Sequence, residues 1–416
     1  MEYAAYVGWD WADKEHELAI EDASSGRRSR KKVAGSPGAL HEWAAEMRLE
    51  YGGRPIAVGI ETSRGAVVAA LMNYNHIVLY PLNPQSVAKF REALHPSGKK
   101  DDPVDAETAL EIVAHHRHKF RPLEPADEKT RTLGLLSEQR WKLSKDLTRA
   151  TNRLRANLKG YFPQALALVG DLATPMALHF LEKWPNLEKV QRARPQTVES
   201  FYRLHNSRSR TRIEERLALI HSARSLTDDP AMLSVGMTTT LSQALVIRAL
   251  TDAIKMVDRQ ICDVLASHPE HELFRSFPGA GDVYVPRLIA IFGTDRSRFE
   301  AAEELQRLTG IAPVTKRTGG KNGTISVHRR IKRSKFLHQN IVEWAGHFSL
   351  NSEWGRAYHE SQKEKGKSHW AALRALGFKL LRILFRCWKD NTLYDERHHQ
   401  EELIRRGSPM AKRLAA

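Results

Sequence analysis

Apolar positions in the first third of the chain fall into short runs, and further along they recur every three or four residues. Residues 3–9, Tyr-Ala-Ala-Tyr-Val-Gly-Trp, read as a strand that runs into Asp10. Stretches 15–22 and 29–34 mix polar and apolar residues and extend it into a meander. Ser36-Pro37-Gly38 then opens a helix through about Tyr51, with Leu40, Trp43, Ala44 and Met47 on one face. The continuous apolar run Ile56-Ala57-Val58-Gly59-Ile60 is of the kind buried on both faces of a sheet, and it ends at Glu61. A helix over 64–74, a strand over 76–80 and a helix carrying Val87 and Phe90 complete the pattern.

The period then lengthens. Leu133, Leu136, Leu143, Leu147, Ala150 and Leu154 follow alternating three- and four-residue steps, broken once at Arg140. A second seam of this a/d type runs through Ile247, Leu250, Ile254, Val257, Ile261 and Val264. Two coiled-coil helices of this kind pair with each other or with a second subunit, and the pattern leaves that choice open. Between them, 163–240 breaks into short helical pieces at Pro163, Pro175, Pro185, Pro195 and Pro230, and Arg192 to Pro195 reads as basic solvated surface. Phe277-Pro278-Gly279-Ala280-Gly281 precedes an apolar helix, Val283 to Phe292. Gly279 and Gly281 make either an ordinary turn or a hairpin whose backbone N–H groups approach a phosphate. Residues 366–390 read as a basic amphipathic helix packed on a core, and 391–416 as a loosely ordered tail.

Charge narrows the class of partner. Sixty-five Lys and Arg against forty-nine Asp and Glu give a net charge of +16 over 416 residues, which favours a polyanion, usually nucleic acid. From 316 to 335, Lys316, Arg317, Lys321, Arg329, Arg330, Lys332, Arg333 and Lys335 stand with no acid among them, a composition suited to phosphate contact. Two cysteines, Cys262 and Cys387, exclude a disulfide framework and a CxxC zinc pattern, and point to a reducing, cytoplasmic setting. The start of the chain lacks the apolar core of a signal peptide, and no apolar run reaches the length of a membrane span.

The candidate chemistry centres on Lys99-Lys100-Asp101-Asp102-Pro103-Val104-Asp105. Asp102 fits an N-cap, Pro103 the first helical position, and Asp105 lies three residues after the cap. Residues three apart share a helix face, so both carboxylates can aim at one point. Two carboxylates about 4 Å apart repel by about 4 kcal/mol at an effective dielectric of 20, which favours a cation between them. An acidic pair favoured by the helix dipole is the bland alternative. Asp10 and Glu61, each ending a strand, shift the balance. The order βββαβαβα with acids ending strands one and four is the plan of an α/β ribonuclease-H-like fold. In that plan Asp10 and Glu61 leave neighbouring strands and the Asp102 helix crosses them. Four oxygen donors suit Mg²⁺ or Mn²⁺ and the chemistry of phosphodiesters. His16 and the His115-His116-Arg117-His118 run have no zinc spacing and read as surface residues.

Gly8-Trp9-Asp10-Trp11-Ala12-Asp13-Lys14-Glu15-His16, Gly59-Ile60-Glu61-Thr62 and Lys100-Asp101-Asp102-Pro103-Val104-Asp105-Ala106 resemble the DEDD transposases of insertion sequences. Gly310-Ile311-Ala312-Pro313, with the basic segment after it, is similar to that family's second signature. The resemblance implies a RuvC-like domain over 1–125, a helical coiled-coil spacer over 126–268, a mostly α-helical transposase domain over 269–365 and a basic tail over 366–416. It implies that Asp10, Glu61, Asp102 and Asp105 bind metal, and that DNA is the substrate. A guide RNA encoded by the element, and a homodimer or homotetramer built through the coiled coil, are implied partners. The family's nucleophilic serine falls at Thr318-Gly319, where Thr keeps the hydroxyl but adds a methyl that crowds the attack; Ser326 is a rival. Gly279, Gly281, Lys316, Arg317, Lys321, Arg329, Arg330 and Arg333 are the expected nucleic-acid contacts. The alternatives are a junction-resolving metal-dependent nuclease, or an inactive remnant that binds nucleic acid.

Overall fold

A computed structural model describes residues 2–62, 65–94, 102–317, 319, 325–331 and 333–408, and of Lys316 the backbone alone. The chain divides into two compact units, Met1–Pro125 and Ala126–Ala416.

The first unit holds strands β1 (Ala5–Asp10), β2 (Glu15–Asp22), β3 (Arg28–Ala34), β4 (Ile56–Ile60) and β5 (Ile77–Pro81). Helices α1 (Pro37–Glu50), α2 (Ala66–Leu71), α3 (Pro84–Leu94) and α4 (Asp102–His115) lie among them in sequence. The sheet order is β3-β2-β1-β4-β5. The first three strands form the expected antiparallel meander, while β1–β4 and β4–β5 are parallel. Ser36 caps α1, and Leu40, Trp43, Ala44 and Met47 are its buried face, as the spacing predicts. They pack with Trp9, Val58 and Ile60 on one side of the sheet. On the other side, Ala57 and Tyr80 pack with Ala109, Ile112 and Val113 of α4. The mixed α/β ribonuclease-H-like plan is therefore present, followed by a mostly helical second unit.

That unit opens with α5 (Glu128–Tyr161). Five short helices come next: α6 (Ala165–Val169), α7 (Pro175–Lys183), α8 (Leu187–Gln191), α9 (Pro195–Leu204) and α10 (Arg210–Ser222). Then come α11 (Pro230–Ala266), α12 (His271–Arg275), α13 (Gly281–Phe292) and α14 (Ala302–Leu308), and the hairpin β6 (Val314–Arg317) and β7 (Ile325–His328). Helices α15 (Lys335–Asn351), α16 (Glu353–Glu364), α17 (His369–Asp390) and α18 (Glu396–Arg405) end it. The two long seams pair with each other, antiparallel. Lys129 Nζ donates to the Ser267 carbonyl (2.8 Å), Arg140 Nη2 to Asp258 (3.2 Å) and Asn157 Nδ2 to Thr240 (2.9 Å), so position rises on one helix as it falls on the other. Arg140, the break in the first seam, is thus an ion-pair position between the helices.

Two hydrophobic cores lie along this pair. One gathers Leu154, Leu158, Phe162, Phe180, Trp184, Phe201 and Tyr202 with Ala244 and Ile247. The other joins Leu133, Ile261 and Leu265 to α12–α17. Residues 366–390 form the expected core helix within it.

Three expectations are corrected. Pro230 starts the long α11 rather than separating short pieces, because Pro is favoured in a first helical turn and Asp229 caps it. Part of the basic loop pairs as β6–β7. The tail is ordered to 408: Tyr394 stacks on Phe277 at 4.6 Å, and Glu396 accepts from Ser352 Oγ (2.7 Å) and the Glu353 N–H (2.9 Å) at the start of α16. Among the described residues α11 alone is long and apolar enough to cross a membrane, by length and composition only, and its inner face packs on α5, which leaves the expectation of no membrane span standing.

Candidate active site

Strand register brings the first two acids together. Trp9 lies opposite Ile60 in the parallel β1–β4 pair, so Asp10 and Glu61 leave adjacent strands at the same level. Side chains alternate across a sheet, so Gly8 and Asp10 share a face, as do Gly59 and Glu61. The two glycines lie opposite each other. A Cβ on Gly8 would come within 2.0 Å of the Ala106 carbonyl oxygen and 2.3 Å of the Leu110 nitrogen. One on Gly59 would meet the Ala109 oxygen at 3.1 Å and Val113 Cβ at 3.2 Å. Helix α4 therefore lies directly on the two strands, over a floor kept bare by glycine. Its first turn carries Asp102 and Asp105 towards the strand ends; the helix starts at Asp102, within one residue of the expected cap.

The acids feel one another. The Asp10 carboxyl is pushed up from 3.8 to about 6, first by burial and then by the negative charges of Asp102, Asp105, Glu61 and Glu17. Glu17 faces Asp10 across β1–β2 and pairs with Lys32 Nζ at 2.9 Å. Asp105 is held by Arg91 of α3, a half-buried ion pair. As a donor set, four hard carboxylates whose mutual repulsion raises one of them fit a divalent cation. Among the described residues, however, no three His, Cys, Asp or Glu side chains stand close enough to hold a metal ion. The Arg91 guanidinium lends positive charge to the Asp105 end of the cluster.

The remaining candidates belong to the second unit. Thr318 and Lys321 lie outside the described residues, as does the side chain of Lys316. Ser326 sits in β7 opposite Lys316, with its Oγ 2.9 Å from His328 Nε2. Arg317 and Arg329 are exposed. Arg330 Nε donates to the Ala312 carbonyl (3.4 Å), and the Arg333 guanidinium donates to the carbonyls of Arg330 and Ile331, so both brace their own backbone. Gly279, at φ +69, presses on the α15 backbone, where a Cβ would lie 2.6 Å from the His347 carbonyl carbon; Gly281, at φ +48, is open. His16, expected at the surface, is only 2% exposed: it sits within β2, its ring 5.5 Å from that of the buried Trp9. Arg91 and the two floor glycines shape the candidate site and are positions that sequence reasoning misses. The Gly-x-acid spacing shared by the two strands is the signal that marks the glycines.

Two family models match this chain. One for DEDD transposases of the IS110 type covers residues 7–163, and one for transposases of the IS116/IS110/IS902 family covers 271–360. The chain belongs to the IS110-type transposase family. The IS117 mini-circle protein of Streptomyces coelicolor is 28% identical over 94% of this chain and 95% of its own length. An insertion-element IS900 protein of Mycobacterium paratuberculosis is 23% identical over 95% of this chain and 98% of its own. A pilin gene-inverting protein of Moraxella lacunata is 26% identical over 37% of this chain and 49% of its own. Family membership makes the chain a DNA transposase, an enzyme, and the four carboxylates fall within the first matched segment.

Proposed function

We propose that this transposase cleaves and rejoins DNA strands with Asp10, Glu61, Asp102 and Asp105 as holders of Mg²⁺ or Mn²⁺ and the Thr318 hydroxyl as nucleophile. The observation that carries the reading is the geometry of the acids: Asp10 and Glu61 leave adjacent strands at one level, and α4, seated on Gly8 and Gly59, brings Asp102 and Asp105 in its first turn towards them. The bound metal would supply Lewis-acid stabilisation of charge on the phosphate oxygens. Thr318 Oγ attacks phosphorus, loses its proton and forms a phosphoester, while the displaced strand oxygen leaves and takes up a proton. Attack by the hydroxyl of an incoming strand restores Thr318 and joins the new ends. A relative named as gene-inverting is consistent with such an exchange of strands.

DNA and a guide RNA are the proposed partners, met by the exposed Arg317 and Arg329 of the basic segment. A second copy is proposed on the outer face of α11, where Val235, Leu245 and Met256 are 66%, 62% and 62% exposed. The two unpaired cysteines accord with the proposed cytoplasmic setting.

Trapping on a nicked DNA substrate, read on a denaturing gel, tests the nucleophile. Wild type and Thr318→Ser form a protein–DNA adduct that survives denaturation, and Thr318→Ala forms none. Undiminished adduct in Thr318→Ala removes that residue from the site, and loss only in Ser326→Ala transfers the role. Cleavage without adduct in every form identifies a nuclease.

A further inference from the structure

Past the ends of β1 and β4, on the α1 and α2 side of the sheet, the first unit contains a cleft of about 210 Å³. Its walls include Trp11, Ala12 and Asp13, which directly follow Asp10, and Thr62, which follows Glu61. The cleft thus begins where the acid-bearing strands end. Pro37, Leu40, Val67 and Ala70 make its inner lining apolar. Trp11 is 48% exposed, although Trp9 and Trp43 of the same unit are fully buried. About half of the indole is therefore open to a ligand at the mouth of the cleft. His16 also lines the cleft. Its Nδ1 accepts from the Ala12 N–H at 3.1 Å, so the neutral ring carries its proton on Nε2, and Nε2 is buried with no hydrogen-bond partner. Burial lowers the His16 pKa and keeps the ring neutral. An unpartnered neutral donor suits a neutral acceptor, such as a base carbonyl or ring nitrogen, better than a phosphate.

We propose that this cleft seats one unstacked nucleobase of the strand processed at the acids, stacked on Trp11 among apolar walls, with His16 as the polar group that favours a base over bare hydrocarbon. A largely apolar cavity with an open indole at its wall suits a base, and aromatic stacking is how unpaired bases are commonly held. The seat fixes the strand's register by a nucleotide beside the cut rather than by the phosphate itself, and rests on the reading of the acids as a strand-processing site.

Binding of the full-length protein to fluorescent oligothymidylate, and to an abasic strand of equal length and charge, tests this directly. Trp11→Ala weakens oligothymidylate about tenfold and leaves the abasic strand unchanged, whereas Trp11→Phe keeps most of the affinity. Oligouridylate run in parallel identifies the strand type, since the larger loss marks the source of the base. Equal affinity of Trp11→Ala and wild type for both base-bearing strands overturns the seat, as does equal weakening on the abasic strand. Neither outcome touches the wider function. That reading fails separately, if Asp102→Asn keeps both adduct formation and cleavage at the wild-type level.

Discussion

At the scale of single residues, the acids are legible in the sequence and their charge balance is not. A carboxylate ending a strand is visible in sequence, but Arg91 reaches Asp105 from α3, fourteen residues away, and nothing in local spacing marks it. In the metal-free protein this guanidinium competes with any cation for Asp105. Arg91→Ala should therefore raise Mg²⁺ affinity severalfold by calorimetry; a lowered affinity would make Arg91 a supporting residue instead. Asp10 gives a pH signature. Its folded carboxyl titrates near 6 against an ordinary 3.8, so ionisation costs stability that is absent below about pH 4, grows between pH 4 and 6 and is complete above. In EDTA, Asp10→Asn should raise Tm at pH 7 and leave it unchanged at pH 3.5. An equal gain at both would assign the effect to something other than charge. His16 shows the limit of assigning exposure from polarity alone. Its neighbour in space is Trp9, seven residues earlier, and that contact exists only once β1 and β2 pair.

Among elements, strands and helices with strong periodicity are readable, down to the buried face of α1 and the two seams. What escapes reading depends on partners distant in sequence. Helix α18 is anchored by Glu396, which accepts at the start of α16, and by Tyr394, whose hydroxyl accepts from Trp354 Nε1 at 2.6 Å. The direction of the α5–α11 pairing likewise comes from cross-helix bonds, because an a/d seam says only that a partner exists. The close seat of α4 on Gly8 makes the sharpest test at this scale. Gly8→Ala forces the helix away from β1 and should cost about 1–3 kcal/mol, as overpacking does, lowering Tm by several degrees. It should also return the Asp10 carboxyl towards its ordinary value as Asp102 and Asp105 withdraw, measurable by NMR titration without metal. A destabilised variant with Asp10 still near 6 would mean that the acids are not placed by this contact.

For the whole molecule, the net charge of +16 foretells a polyanion, but composition cannot say which cations are free to meet it. The structure separates them. Arg317 and Arg329 are exposed, while Arg330 and Arg333 donate to backbone carbonyls beside them. A guanidinium already engaged by its own chain displaces fewer counterions from DNA than one in water. On duplex DNA, each neutralised phosphate contributes about −0.9 to the slope of log K against log salt. Replacing Arg317 and Arg329 together by Ala should therefore flatten that slope by about two units with little change in Tm. Replacing Arg330 and Arg333 should do the reverse: Tm falls, because the Arg333 side chain packs where Gly310 leaves room and its donors hold the turn before α15, while the slope moves by less than one unit. Titrations at several salt concentrations, paired with thermal melts of the same variants, decide between the sets. Equal slopes for both double variants would place the DNA contacts outside this segment, and the exposed Arg192 and Arg194 would be the next pair to remove.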